Sequence, residues 1–270
     1  MSPSLRSAGR AGAALILAAG AGAARAGVGL PRDVSLDGHR IDALLHTTLV
    51  ATGILFLVMV VWMLIPLFRR RSEAAYLPGG GKKTAAGVLG LAFGVFAVVD
   101  GNLLRHAFVD VDDHFWNFDM AEKTPGAVRV EVNAHQWAWD FRFAGPDGKF
   151  NGPDDVVVLN ELRVPVGAPV VLQLAAADVV HSLYLPNFRV KQDVVPGTVT
   201  RLWFQAQEAG EFEVGCAQHC GPGHYKMRGK VVAMPRADWE AWLAGASEDA
   251  RRAFQPDDAG ARWGWEWRRF

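Results

Sequence analysis

Two apolar runs separated by a basic connector constrain this chain more than any other feature. Leu44 to Phe68 contains no Asp, Glu, Lys or Arg. Thr84 to Leu104 is interrupted only near its far end, by Asp100 and Asn102. A helix of about 20 apolar residues crosses the hydrocarbon core of a bilayer and satisfies its own backbone hydrogen bonds. The spacing therefore predicts a transmembrane hairpin, with helices over 44–68 and 84–104. The connector, 69–83, carries Arg69, Arg70, Arg71, Lys82 and Lys83 against Glu73 alone. Basic loops stay in the cytoplasm, so both outer ends of the hairpin are expected on the exterior or periplasmic face.

The N-terminus fits that orientation. Arg6 and Arg10 precede a short small-residue apolar stretch, Ala11 to Ala24, and Ala24-Arg25-Ala26 offers a cleavage site. This predicts a secretory signal peptide over 1–26 and an external N-terminal segment over 27–43. The whole chain balances 28 Lys and Arg against 28 Asp and Glu, with half its residues hydrophobic. That excludes a disordered chain and a globally basic nucleic-acid binder. The balance hides an asymmetry. Residues 105–270 hold 18 basic and 23 acidic side chains, a formal charge of −5, which suits a basic partner or plain solubility; charge alone does not choose. Asp140, Asp154, Asp155, Glu161, Glu208 and Glu211 are the candidates, either as steering charges or as a solvated face.

Residues 105–236 read as an external β domain. Val128, Val130 and Val132 alternate with Arg129, Glu131 and Asn133, the period of a half-buried strand. Short β-branched runs follow at 156–159, 162–166, 170–174, 198–204 and 230–234, divided by turns such as Gly152-Pro153-Asp154. Many short strands at regular spacing predict a β-sandwich or barrel. The tail, 237–270, differs. Trp239, Trp242 and Leu243 suggest a short helix, and Trp263, Trp265 and Trp267 form a cluster with Arg268 and Arg269 that fits a partner or a membrane surface.

Both cysteines fall in one segment, Cys216-Ala217-Gln218-His219-Cys220-Gly221-Pro222-Gly223-His224-Tyr225-Lys226-Met227. Thiolates and a thioether are soft ligands, and imidazole suits copper. The Gly-Pro-Gly turn allows several side chains to meet at one point. Three readings remain open from these residues. A Cys216–Cys220 disulfide suits an oxidising compartment but leaves His224 and Met227 unused. A mononuclear blue-copper site takes one Cys, two His and a distant Met and leaves one Cys idle. Two bridging thiolates suit a copper pair, which needs a further His; His181, at a strand end, is the candidate.

The segment resembles the copper-binding loop of the cytochrome c oxidase subunit II family, C-x-E-x-C-G-x-x-H-x-x-M. Three more stretches resemble that family in the same order: His135-Gln136-Trp137-Ala138-Trp139, Asp178-Val179-Val180-His181-Ser182 and Asp193-Val194-Val195-Pro196-Gly197. The resemblance covers roughly 44–234. It implies a two-helix transmembrane hairpin plus an all-β cupredoxin-like barrel or sandwich over 105–236. It implies two copper ions, the binuclear CuA centre, bridged by Cys216 and Cys220. His181 and Met227 would complete one copper; His224 and the backbone carbonyl of Gln218 would complete the other. Trp137 would receive the electron from cytochrome c. The partner would be the haem–copper subunit I, which reduces oxygen to water with proton translocation, in the bacterial inner (plasma) membrane. The chain would pass that membrane more than once, with the copper domain outside. No C-x-x-C-H motif occurs in this sequence, so no covalent c-type haem is expected on it and the donor is expected to be a separate molecule. Two alternatives share the copper: a subunit of a nitric-oxide-reducing relative, and a membrane-anchored copper carrier.

The chain departs from the family in places. Gln218 replaces the usual Glu, whose side chain helps hold Mg²⁺ or Mn²⁺ at the subunit interface. Mg²⁺ prefers anionic oxygen, so that second ion is in doubt. Ala138 replaces an aromatic residue between Trp137 and Trp139. No carboxylate lies between Ala74 and Val99, where the family often places a Glu at a proton path. Asp100 lies at the opposite end. His39, His46, His106, His114, His135 and His219 are expected to be structural or surface residues.

Overall fold

The computed structural model describes residues 29–68 and 81–257. The signal segment, the Arg69–Arg71 cluster and the tryptophan cluster of the tail lie outside them. The described chain divides into a helical unit, Asp37–Lys123, and a β unit formed by the residues up to Leu36 with those from Thr124 onward.

In the helical unit, α1 (Gly38–Phe68) is followed by α2 (Lys82–Val95). A wide π-type turn, Phe96–Asp100, carries α2 into α3 (Gly101–Asp110), and a second one, Val111–Phe115, precedes α4 (Phe118–Lys123). By length and composition, Gly38–Ile65 and Lys82–Lys123 can each cross a membrane. Phe56, Trp62, Leu67, Leu91 and Phe93 are exposed, the disposition expected where lipid rather than protein covers a helix. The helical path runs beyond residue 104, where the sequence reading ended the second span. Residues 105–123, assigned there to the external domain, cluster with the helices. Hydropathy reports only the apolar part of a helix, and Arg105, His106, Asp110 and Asp112 continue this one in polar form. At the polar ends Arg40 pairs with Asp37 at 3.3 Å and with Asp110 at 3.2 Å, and His114 lies 3.4 Å from Asp37. These ion pairs clasp α1 to the outer end of the second helical run.

The β unit is a sandwich of two five-stranded sheets. Its strands are β1 (Val128–His135), β2 (Ala138–Phe143), β3 (Val156–Leu159), β4 (Glu161–Pro165), β5 (Pro169–Ala176), β6 (His181–Leu185), β7 (Val190–Val194), β8 (Thr200–Gln205), β9 (Gly210–Cys216) and β10 (Arg228–Met234). One sheet has the order β3-β2-β1-β5-β8 and the other β4-β10-β9-β6-β7. Most neighbours are antiparallel, but β1 pairs parallel with β5, and β10 with β4. Val130, Val132, Phe141, Leu172, Leu183, Val214 and Val231 fill the core, with no exposed surface. Helix α5 (Arg236–Ala253) packs against the edge strands β3 and β4. Trp239 Nε1 donates to the Arg163 carbonyl at 3.0 Å, and Trp242 meets Phe143 edge-on. On the far side the N-terminal segment joins the sandwich: the Val34 and Leu36 amides donate to the Asn187 and Gln205 carbonyls, and Val34 is buried.

Alternation on β1 led to an expectation of a solvated polar face, and the structure corrects it. Glu131 and Arg142, opposite each other on β1 and β2, are both fully buried. The loop between β2 and β3 folds over them. Asn151 Oδ1 accepts from Arg142 Nη1 at 2.8 Å, Asp155 lies 3.7 Å from Arg142 Nε, and Glu131 lies 3.6 Å from Nη1. Asp154 is buried as well and pairs with Arg251 of α5 at 3.1 Å. Asp154 and Asp155 are therefore internal struts, not steering charges. Of the other acidic candidates, Glu161 and Glu211 pair with Lys230, Asp140 with His135, and Glu208 with Arg32.

Candidate metal centre

The site is built at one end of the sandwich, where strands and loops from both sheets meet. His181 is the first residue of β6 and Cys216 the last of β9, and pairing of these strands places Leu183 opposite Cys216. The chain then turns through residues 217–227 into β10. Gly221 has φ +113°, the left-handed region that favours glycine.

The donor atoms converge. His181 Nδ1 lies 3.2 Å from Met227 Sδ, and Cys220 Sγ lies 3.7 Å from the same sulfur. Cys220 Sγ is 3.5 Å from His224 Nδ1 and 3.9 Å from Cys216 Sγ. The Cys216 thiol donates to the Gln218 carbonyl at 3.2 Å. All six sequence-predicted donors thus come together. His181, Cys216 and Cys220 form a cluster that could hold a metal ion, with ligand atoms within 4.8 Å of one another. Both cysteines are free thiols, and 3.9 Å is far beyond the ~2.05 Å of a disulfide.

These separations fit a metal. Bonds of ~2.0–2.3 Å to nitrogen and thiolate in tetrahedral geometry place neighbouring donors ~3.3–3.8 Å apart, close to the spacing found. The donor set of thiols, imidazoles and a thioether is soft, which selects copper over Mg²⁺ or Ca²⁺. Burial is uneven. His181, Cys220 and Met227 are buried, whereas Cys216 and His224 are half-buried. Those two and Met227 border an open groove of about 820 Å³, lined also by Leu30, Tyr184, Tyr225 and Arg228. Solvent thus reaches the donor set from the side of Cys216 and His224, while His181 and Cys220 lie behind it. Burial, with the Cys216 thiol beside it, pushes the Cys220 thiol up to about 11. Metal binding must displace that proton.

Trp137 lies in the β1–β2 turn against the loop, 39 % exposed. Its Nε1 donates to the Cys220 carbonyl at 3.2 Å, and Gln136 Nε2 donates to the same carbonyl at 2.8 Å. Gly223 leaves room for the ring: a Cβ there would lie 2.3 Å from Trp137 Cδ2. Trp139 is fully buried and meets the His181 ring edge-on, with centroids 6.0 Å apart. His219 is exposed, with its ring centroid 5.5 Å from that of His224.

Sequence reasoning missed Asp178 and Gln136. Both stood inside quoted motifs without a role. An acid three residues before a ligand histidine was the available signal. Burial opposes ionisation of Asp178. Hydrogen bonds from His181, Val179 and Gln136 outweigh it and hold the carboxyl below its usual range.

Fold and donor set together define a class: membrane-anchored β-sandwich proteins with a soft-ligand metal loop. The family described as cytochrome c oxidase subunit II, periplasmic domain, matches residues 128–234. The alternative cytochrome c oxidase subunit 2 of Bradyrhizobium diazoefficiens is 34 % identical over 230 residues, covering 75 % of this chain and 79 % of the relative. The cytochrome c oxidase subunit 2 of Thermostichus vulcanus is 40 % identical over 124 residues, 46 % of this chain and 35 % of that longer protein. A crystal structure of the periplasmic domain of subunit II of cytochrome oxidase from Bradyrhizobium japonicum matches with 26 % identity and a TM-score of 0.41. It covers 45 % of this chain and 94 % of that one. The chain belongs to the cytochrome c oxidase subunit II family.

Proposed function

We propose that this chain is the electron-accepting subunit of a proton-translocating, oxygen-reducing haem–copper oxidase. In this reading it spans the bacterial inner membrane twice and carries its metal domain on the periplasmic side. It takes electrons from cytochrome c and passes them to the haem–copper subunit I. His181 and Met227 would hold one copper ion and His224 and the Gln218 carbonyl another, with Cys216 and Cys220 serving both. The observation that carries the reading is the convergence of these six donors from β6, β9 and one loop.

A metal pair held by these residues would supply storage for one electron, with its charge spread over both ions. The protein's own residues do the rest. The strand pairing of β6 and β9 fixes His181 and Cys216 in place. The buried ring of His181, packed on Trp139, cannot swing away, so its donor atom stays in one position through reduction and oxidation. Trp137 lies flat against the ligand loop and bonds the Cys220 carbonyl, which gives an incoming electron a short covalent and hydrogen-bonded route to a bridging ligand. The carboxamide of Gln218 is neutral and offers Mg²⁺ or Mn²⁺ no anionic oxygen.

The test uses the full chain in detergent, loaded with copper. Two copper ions per chain, with one unpaired electron shared over both in the oxidised electron paramagnetic resonance spectrum, is the expected result. One copper with a mononuclear spectrum would remove the shared-thiolate site.

A further inference from the structure

We propose that Asp178 is a positioning residue that couples the Trp137 turn to the deepest metal ligand, setting the ring state of His181 and the seat of Trp137 with one carboxylate. The metal's identity in this inference rests on the reading above; the hydrogen bonds do not.

Three donors meet on this side chain. His181 Nε2 lies 2.8 Å from Oδ1, and the Val179 amide donates to the same oxygen at 2.6 Å. The Gln136 amide donates to Oδ2 at 2.7 Å. With the proton of His181 on Nε2, the Nδ1 lone pair faces inward, 3.2 Å from Met227 Sδ. The tautomer follows from this network. On the other side Gln136 is the residue before Trp137, and both donate to the Cys220 carbonyl. His181, Asp178, Gln136 and Cys220 thus form one circuit. It links a ligand from β6, the β1–β2 turn and the ligand loop, three elements far apart in sequence.

The chemistry follows from the charge. A carboxylate hydrogen-bonded to the outer nitrogen of a ligand imidazole fixes the ring and makes the inner nitrogen a stronger donor. That favours the more positive, oxidised state of the metal. An amide in place of Asp178 carries no charge. It also has only one acceptor oxygen, so its NH₂ must face at least one of the three donors. The Asp178 side chain is 31 % exposed, so a competing role exists: a surface charge that attracts a basic donor.

The experiment compares the full-length protein with Asp178→Asn, Asp178→Glu and, as a surface-charge control, Glu211→Gln. Three readouts are taken: the reduction potential of the copper-loaded protein, the ¹⁵N shifts of the His181 ring in the metal-free protein, and hydrogen exchange of the Gln136 amide. In Asp178→Asn the potential rises, copper affinity falls about tenfold or more, and, according to the side its NH₂ faces, either the Nε2–H tautomer is lost or the Gln136 amide exchanges faster. Asp178→Glu restores part of the potential; Glu211→Gln leaves it unchanged. The inference is overturned if Asp178→Asn keeps the potential and the ring shifts, and only KM for cytochrome c rises, as a docking charge predicts. If Asp178→Asn holds no copper, the metal-free protein decides: a retained Nε2–H state together with unchanged Gln136 exchange overturns the inference, and a change in either supports it. A wild-type chain that binds no copper would defeat the functional reading while leaving the ring measurement intact.

Discussion

Replacing Gly223 with alanine isolates the seating of Trp137. Gly223 has φ −88° and ψ 2°, which alanine adopts freely, so the backbone bears no cost. The added Cβ would lie 2.3, 2.6 and 2.7 Å from three carbons of the Trp137 ring. Carbon atoms rest ~3.5–4.0 Å apart, so the ring must retreat by roughly 1.2 Å. The exposed side of Trp137 gives it somewhere to go. The retreat stretches its 3.2 Å bond to the Cys220 carbonyl beyond hydrogen-bonding range. Losing that bond costs about 0.5–1.5 kcal/mol, and residual crowding sets an upper limit of about 3 kcal/mol. No donor atom sits on the displaced ring, so copper content should hold. The expected outcome is slower reduction by cytochrome c, unchanged reduction by a small artificial reductant, and a melting temperature lower by several degrees. Wild-type electron uptake from cytochrome c together with a wild-type melting temperature would refute both the seating of the ring and its role.

Other outcomes follow from the same structure. Arg142→Met leaves the buried carboxylates of Glu131 and Asp155 without their shared cation and should destabilise the sandwich by about 3–5 kcal/mol, read by thermal or chemical unfolding; a cost below about 0.5 kcal/mol would contradict the buried network. At Glu161 burial opposes ionisation, but hydrogen bonds from Arg163 and Lys230 outweigh it and lower the carboxyl. Its contribution is therefore present above the unfolded value of about 4.3 and lost as pH falls through the folded one. The melting-temperature gap between wild type and Glu161→Gln should stay constant from pH 5 to 8, narrow once pH falls below the unfolded value of about 4.3 and close beneath the folded one. Cys216→Ser should abolish the shared-electron spectrum and lower the copper count, whereas Glu208→Gln should change neither.

How much of this was legible in the sequence depended on whether the signal was local. The apolar runs are local, and both lie within helices. The donor set was readable because Cys216, Cys220, His224 and Met227 share one loop and the Asp178–Ser182 motif supplied His181. Strand β2 went unnoticed although Trp139, Phe141 and Phe143 alternate with Ala138, Asp140 and Arg142, because the segment was read as an aromatic motif. The outer face of β1 failed for a deeper reason. Periodicity places Glu131 on the face opposite Val130 and Val132, but it cannot say what covers that face. The cover is the loop carrying Asn151 and Asp155, so the burial of Glu131 and Arg142 is a tertiary fact. The same holds for Asp154, whose partner Arg251 lies 97 residues away.

The arrangement of the ligands also explains why the fold tolerates Gln218 where the family usually has Glu. Cys216, His181 and the loop backbone reach the site through strand pairing and the Gly-Pro-Gly turn, and residue 218 offers only its carbonyl. Its side chain is exposed and contributes nothing to the 3.2 Å contact between Cys216 Sγ and the Gln218 oxygen. Selection on the side chain at 218 is therefore separable from selection on the metal site, and any cost of the substitution must fall on whatever lies beyond this chain's surface. Trp137 is constrained in the opposite way. Its ring, its Nε1, Gly221 and Gly223 against the ring and the Gln136–Asp178 bond tie it to the donors, so changes there reach the site through contacts within this chain.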